Sequence, residues 1–376
     1  CAENAAVTLL RTTFANHTGS SAMAMGNSIL MYGGGAYLSG GSAWIDGCQF
    51  ITNAFGATAQ EYGGALHATG VNPLTVTGCV FRGNGVTSKS GYDAKGGALY
   101  VTGCATARIL NCVFDANTLR LTGSTVEGSD LWLSGTGLVS DCTVTGTDLY
   151  DAGENILVNN ASNNTWLIRN TAVKGLLGNG IRKKGFGAPV LTNCLIQACG
   201  INGVLAESGT VVVVQCTVAN NIGWGVTNKG AVVTMSDSIL WGNLAGGVSS
   251  TNGSVNYTCS QETLAGTGNL NTNPLWIAGY YLSTNSLPYQ TLNSPCIDAG
   301  SMTAVDAGLA MRTTRTDGTN DEGQVDLGYH AANGMVGSFS NLNLYVDVVT
   351  GNDTNNGWSA GSGGALKTIA AALAKA

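Results

Sequence analysis

The sequence predicts an all-β fold, a right-handed parallel β-helix solenoid of about nine or more coils. A small side chain recurs at near-fixed spacing, one local phrase surrounds each recurrence, and the composition disfavours helices. Cys194, Cys216 and Ser238 stand 22 residues apart, and Thr171 lies 23 before Cys194. Upstream, Cys48, Cys79, Cys112 and Cys142 hold the same slot at intervals of 31, 33, 30 and then 29 to Thr171. The surrounding phrases read GCQF, GCVF, NCVF, DCTV, NTAV, NCLI, QCTV and DSIL. Periods in this range mark chains built from stacked supersecondary units. The 376 residues include 55 Gly, only 5 Pro and 10% charged residues, and β-branched residues alternate with small polar ones as in short strands.

Each coil can be read in order. It opens on a Gly corner, as in Gly34-Gly35-Ala36-Tyr37, Gly63-Gly64-Ala65-Leu66 and Gly96-Gly97-Ala98-Leu99, and later at Gly180-Ile181, Gly203-Val204, Gly225-Val226 and Gly247-Val248. Glycine there admits a positive φ or the close approach of neighbouring chain. A short alternating strand follows, then a small turn and a second strand. That strand carries an apolar residue three before the slot (Ile45, Val76, Ile109) and another two after it (Phe50, Phe81, Phe114). The coil closes on Asn five after the slot, at Asn53, Asn84, Asn117, Asn221 and Asn243. Asn tolerates left-handed backbone and bonds to stacked copies of itself, so this corner reads as structural. Nine such turns stacked at strand spacing rise roughly 40–45 Å. The longer early intervals carry 7 to 11 extra residues. These are expected to leave as loops around Gly56–Tyr62, Thr87–Lys95 and Leu119–Val126, the kind of element that often carries binding.

Eleven cysteines raise the question of disulfides. Stacked slots present parallel Cα–Cβ vectors, a poor geometry for an S–S bond. Thr and Ser share the slot, and no Cys-x₂-Cys pair is present to converge on a metal. The core ladder of Cys48, Cys79, Cys112, Cys142, Cys194 and Cys216 is therefore expected to consist of inward free thiols acting as small hydrophobes. A net charge of −6 with no basic stripe gives nucleic acid no footprint. Neither a membrane span nor a signal peptide is visible, and the chain opens at Cys1 without Met, which points to processing or excision from something longer.

The best constellation for acid–base chemistry is Asp148, Asp151 and Glu154, with Arg169, Arg182, Lys183 and Lys184 one to two coils away. The register that aligns Ile181, Val204 and Val226 also stacks Lys184, Glu207 and Lys229 as an outward ladder of alternating charge. That ladder absorbs much of the constellation into a structural role. His17, His67 and His330 lie far apart and fit no triad. The acidic run Asp298, Asp306, Asp317, Asp321, Glu322 and Asp326 offers the hard oxygen donors that Ca²⁺ takes, with Asp317, Asp321 and Asp326 as ligand candidates. It lacks an EF-hand loop or a nonapeptide repeat, and solvated turn carboxylates are the simpler reading. No other cofactor is implied.

At the level of these motifs the chain resembles right-handed parallel β-helix proteins of the pectate-lyase-like type. Its GGA…NCxF coils are similar to those of large bacterial surface and secreted proteins. The phrases DSILWGN (237–243), VNYTC (255–259), NPLW (273–276), SPCIDAG (294–300) and QVDLGY (324–329) look like the closing section of that family. The resemblance covers about residues 30–330 and implies fold more than function. It implies coils over 1–259, a closing section over 260–333, and a linker plus cap-like segment over 334–376. In that last segment LYVD (344–347), GND (351–353), NG (356–357) and LKTI (366–369) resemble the opening of such a β-helix. Leu366, Ile369 and Leu373 there fall on one helical face. The order is thus permuted, and the chain enters at Cys1 almost directly into the coil at Thr8–Phe14.

The expectation that follows is an extracellular or cell-surface structural scaffold. Its cap-like segment, through Tyr345, Val346, Leu366, Ile369 and Leu373, would cover the N-terminal coil of the next copy, in trans between chains or in cis along a tandem array. A heterologous contact that does not close builds a filament. Copies of itself are then the expected partners, with polysaccharide or a cell surface as further ones. The alternatives are an adhesin fragment and a polysaccharide-binding or polysaccharide-cleaving β-helix, the latter a lyase or glycoside hydrolase.

Overall fold

The repeats spaced along the sequence are stacked in space. Ile181 pairs with Val204 and Val204 with Val226 in parallel register. On a second face Leu191 pairs with Val213 and Val213 with Met235, and on a third Ile196 pairs with Val218 and Val218 with Leu240. Each coil therefore contributes three short strands, for example Ile181–Gly185, Val190–Thr192 and Leu195–Gln197. The structure is a computed structural model that describes residues 1–20, 31–57, 61–88, 93–121, 126–147, 153–175, 177–250, 252–287, 290–332, 346–353 and 366–368. The chain divides into two units, Cys1–Thr272 and Asn273–Ala376, and the first is the parallel β-helix.

Alternation along each strand sends every second residue inward, and the inward set forms one continuous core from Leu38 to Val255. Phe14, Phe50, Phe81 and Phe114 stack ring on ring, with centroids 4.9, 4.7 and 4.8 Å apart. Trp166 is the largest fully buried side chain. It pairs with Gly137, where an added Cβ would lie 2.5 Å from the indole. Glycine at that rung makes room for the ring.

The slot ladder has a chemical requirement beyond small size. All eleven cysteines are free, and the six of the ladder are buried. Each slot heteroatom accepts a hydrogen bond from the slot N–H one coil earlier. Cys48 N donates to Cys79 Sγ at 3.3 Å, Cys194 N to Cys216 Sγ at 3.4 Å and Cys216 N to Ser238 Oγ at 3.1 Å. The same atom donates to the carbonyl two residues back, as from Cys216 to Val214 at 3.2 Å and from Ser238 to Ser236 at 2.7 Å. Cys, Thr and Ser share the slot because each carries a donor–acceptor atom on Cβ. The preceding residue turns the corner in left-handed backbone, at φ 51° in Asn111, 57° in Asp141, 50° in Asn193 and 53° in Asp237. Such conformations favour Gly, Asn and Asp, the residues that dominate this position. Thr258 pairs with Ser238 and donates to Asn256 O at 2.9 Å, one rung beyond the last slot read in the sequence.

The Asn corner is a second polar ladder inside the stack. Asn53 N donates to Asn84 Oδ1, and Asn84 N to Asn117 Oδ1, both at 3.0 Å. Asn84 Nδ2 meanwhile donates to Phe50 O at 2.8 Å. All three side chains are fully buried, so each amide satisfies main-chain groups that water cannot reach.

The extra residues of the early coils were expected as loops; they form two further sheets instead. Thr18–Ser20, Ala54–Ala57, Gly85–Ser88 and Thr118–Leu121 stack in parallel, and so do Met31–Tyr32, Glu61–Tyr62, Ala94–Lys95 and Val126–Glu127. Each insertion leaves its coil on one strand and returns on another. Similar insertions in successive coils let these strands pair and satisfy their own main-chain groups. Val86, Ala94 and Leu119, with Val126 beside them, make a small separate core from both sheets.

The second unit holds two antiparallel pairs, Trp276–Ile277 with Tyr281–Leu282 and Arg312–Thr313 with Ala331–Ala332. Ala304, Leu309 and Val325 form its apolar cluster. The phrases SPCIDAG and QVDLGY lie side by side, with Leu327 N donating to Cys296 O at 2.9 Å and Gly300 N to Val325 O at 2.8 Å. Among the described residues no helix is long and apolar enough to cross a membrane.

Candidate functional site

The outward residues of the first face also form a ladder. Register aligns Tyr37, His67, Tyr100, Trp132, Leu157 and Arg182. His67, Tyr100, Trp132 and Leu157 are nevertheless buried, because the returning strands of the insertions lie over them. Those strands bring their own rung of Tyr32, Tyr62, Lys95 and Glu127. Tyr62 stacks on Tyr100 at 5.0 Å, and Tyr100 on Trp132 at 4.4 Å. Lys95 Nζ sits 5.5 Å over the Tyr62 ring, within cation–π range. Burial lowers the pKa of His67 to about 4, so the imidazole is neutral near pH 7.

A charged network closes the end of this ladder. Glu127 and Glu154 are both buried. Lys184 Nζ lies 2.6 Å from Glu127 Oε1, while Trp132 Nε1 donates to Glu127 Oε2 at 3.3 Å. Arg182 bridges two carboxylates, reaching Glu154 at 3.4 Å and both oxygens of Glu207 at 3.0 and 3.2 Å. Gly128 N donates to Glu154 Oε1 at 3.1 Å. Burial pushes the Glu154 carboxyl up to about 7, outweighing the pull of Arg182. A small, open dimple lies alongside, with Ser129, Thr147, Asn155 and Leu177 among its walls. Such a carboxyl can give or take a proton near neutrality. Each charge in the network, however, already has a partner within it.

This geometry sorts the residues singled out in the sequence. Glu154 does meet Arg182, but Asp148 and Asp151 lie outside the described residues. Arg169 stands apart, donating to Ser140 Oγ at 3.1 Å. Lys183 points inward and is buried, with Nζ on the carbonyls of Lys184, Gly185 and Ser208 at 3.0, 2.6 and 3.0 Å. Burial lowers its pKa to about 8. The expected charge ladder is also corrected. Its register holds, but Glu207 pairs with Arg182 and Lys184 with Glu127. Residues 182 and 184 project to the same side of their strand, and the insertion strand presents Glu127 to Lys184. Sequence reasoning missed Glu127 and Lys95. The available signal was their shared place directly before a Gly corner, at Gly128 and Gly96, where Tyr62 precedes Gly63.

In the second unit carboxylate oxygens of Asp298, Asp321 and Asp326 lie close together, while Asp317 is not among them. Asp317 instead accepts from Thr319 N at 3.0 Å and Ser286 Oγ at 2.9 Å, closing a local turn. Asp326 Oδ1 accepts from Asp298 N at 2.7 Å. Arg315 lies 3.3 Å from Asp326 and 3.5 Å from Asp298. The Asp298 carboxyl is held above its ordinary range, first by burial and then by the charge of Asp326.

Of the residues expected to mediate assembly, Tyr345, Ile369 and Leu373 fall outside the described residues. Val346 bridges Leu366 in parallel. Leu366 is buried, and Val346 is exposed. Asp347 closes the following turn through Val349 N and Thr350 N at 2.9 and 3.0 Å, and Asp353 accepts from Lys367 N and Thr368 N, both at 2.8 Å.

Comparison with curated proteins and with solved structures gave no match. The family model described as "Right handed beta helix region" matches residues 1–172 and again 97–264, which together span the coils whose three-strand stacking is described above, and the chain belongs to that right-handed β-helix family.

Proposed function

We propose that this β-helix is a structural unit of an extracellular or cell-surface scaffold, joined end to end with further copies through the segment beyond its closing section. The observation that carries this reading is the state of the first coil. Strand Ala6–Leu10 pairs with Ser42–Asp46 on one side and, among the described residues, with no strand on the other. Ala2, Val7, Leu9 and Phe14 are only partly buried against the core, whereas Ala43, Ile45 and Phe50 one coil up are buried. An edge of this kind accepts a further strand, whether from residues that precede this sequence or from another copy. In the C-terminal segment Val346 and Leu366 form an isolated parallel bridge, and we assign this segment to the edge of the next copy. Mutual neutralisation within the Glu154 network favours a scaffold over an enzyme.

Electron microscopy and sedimentation of the full chain beside a variant lacking residues 341–376 test this. The full chain should form regular end-to-end arrays, through an interface above roughly 2,000 Å². The shortened chain should stay folded, fail to form those arrays and tend to aggregate. Identical arrays from both proteins would refute the mechanism. A second reading, polysaccharide binding or cleavage, rests on Glu154 beside Arg182. Turnover of an acidic polysaccharide that is lost in Glu154→Gln would establish it.

A further inference from the structure

We propose that Asp298, Asp321 and Asp326 form a binding site for an oxygen-seeking divalent cation, with Ca²⁺ as the ion that fits. One carboxylate oxygen from each lies within 4.8 Å of the others. Asp321 supplies an independent indication. Its Oδ2 accepts from Asp326 N at 2.9 Å and contacts His330 Nε2 at 2.8 Å. Its Oδ1 is buried and has no hydrogen-bond partner. Buried carboxylate oxygens are otherwise hydrogen-bonded or bound to a cation, so this orphan acceptor marks the place where a cation belongs.

Charge and donor type define the ion. Three carboxylates face one guanidinium, and Arg315 is directed at Asp326 and Asp298. Three carboxylates against one guanidinium leave two negative formal charges, which one divalent cation balances. The donors are hard oxygens, which suit Ca²⁺ and not thiophilic metals. His330 is not free to ligate, because its Nδ1 lies 2.9 Å from Gly328 O and its Nε2 is on Asp321. The Asp298 side chain is 55% exposed. That opening gives the ion an entry path and leaves coordination positions for water, which the irregular geometry of Ca²⁺ accepts more readily than the strict octahedron of Mg²⁺. A bound ion would clamp SPCIDAG, which carries Asp298, to QVDLGY, which carries Asp326.

The test is calorimetric titration of the full chain after chelator treatment, with CaCl₂ and MgCl₂ in parallel and thermal melting as a second readout. One Ca²⁺ should bind per chain and raise the melting midpoint, with a smaller response to Mg²⁺. Asp298→Asn, at the solvent-facing mouth, should weaken Ca²⁺ binding by at least about tenfold without unfolding the chain. Asp321→Asn should abolish binding, and Asp306→Asn, outside the cluster, should leave it unchanged. Absence of binding and of a thermal shift up to about 10 mM Ca²⁺, above the weakest extracellular modules, would overturn the site. So would unchanged affinity in Asp298→Asn, which also reports if Asp321→Asn fails to fold.

Discussion

Cys216 shows what a coil asks of one side chain. Its sulfur accepts from Cys194 N and donates to Val214 O, so removing it orphans a buried amide. Cys216→Ala should cost about 1–3 kcal/mol, and Cys216→Ser clearly less because the hydroxyl repeats both bonds. Chemical denaturation would decide, and equal stability of the two variants would reduce the slot to a matter of size. The recurrence of this slot was legible in the sequence, and the mixture of Cys, Thr and Ser already held its chemistry. Size and hydrogen bonding select the same three residue types, so spacing alone could not separate them. Glu154 gives a second residue-scale prediction. Its folded pKa of about 7 lies above the unfolded value of about 4.3, so the native state holds its proton more tightly. Stability should therefore fall as pH rises between those values, by at most about 4 kcal/mol, and level off above them. Glu154→Gln should flatten that fall, measured as denaturation midpoints at about pH 5 and about pH 8. Parallel pH profiles for the two proteins would show that burial does not control this carboxyl.

At the scale of elements, the coils were readable because each strand repeats a pattern that its neighbour also needs. The insertions were less so. Their boundaries show as longer intervals, but their pairing depends on similar length in adjacent coils, a relation between segments that no single segment displays. Glu127 was missed for the same reason, since its partners Lys184 and Lys95 come from other coils. Leu119 now links the two insertion sheets through its cluster with Val86 and Ala94. Leu119→Asp buries a charge there without a partner, a large local penalty. Hydrogen exchange should then accelerate in Gly85–Ser88 and Thr118–Leu121, while Ile181–Gly185 and Thr210–Val214 keep their protection. Unchanged exchange in the insertion strands would mean that the coils alone hold them in place. The acidic cluster of the second unit marks a different limit. Asp321 and Asp326 stood out by density, whereas the choice between Asp298 and Asp317 was made by a turn and by the pairing of two distant phrases.

For the whole β-helix, stability is a sum over neighbours, because each coil packs only on the coils beside it. Phe81→Ala should therefore cost about 3–5 kcal/mol, with the faster exchange concentrated in the coils of Phe50, Phe81 and Phe114. The coils of Leu191, Val213 and Met235 should change little, and a uniform loss of protection would contradict a one-dimensional stack. The same reasoning makes an end coil the weakest place, since it has one neighbour where an interior coil has two. Strand Ala6–Leu10 bonds to Ser42–Asp46 alone among the described strands, and its amides should exchange fastest of the second face in the isolated chain. Whatever pairs with that open edge supplies the missing neighbour and must raise their protection by mass action. Exchange measured in the dilute chain and in concentrated arrays should therefore differ most at Ala6–Leu10 and hardly at all at Thr210–Val214. Equal protection of Ala6–Leu10 in both states would mean that arrays, where they form, are built through some other surface.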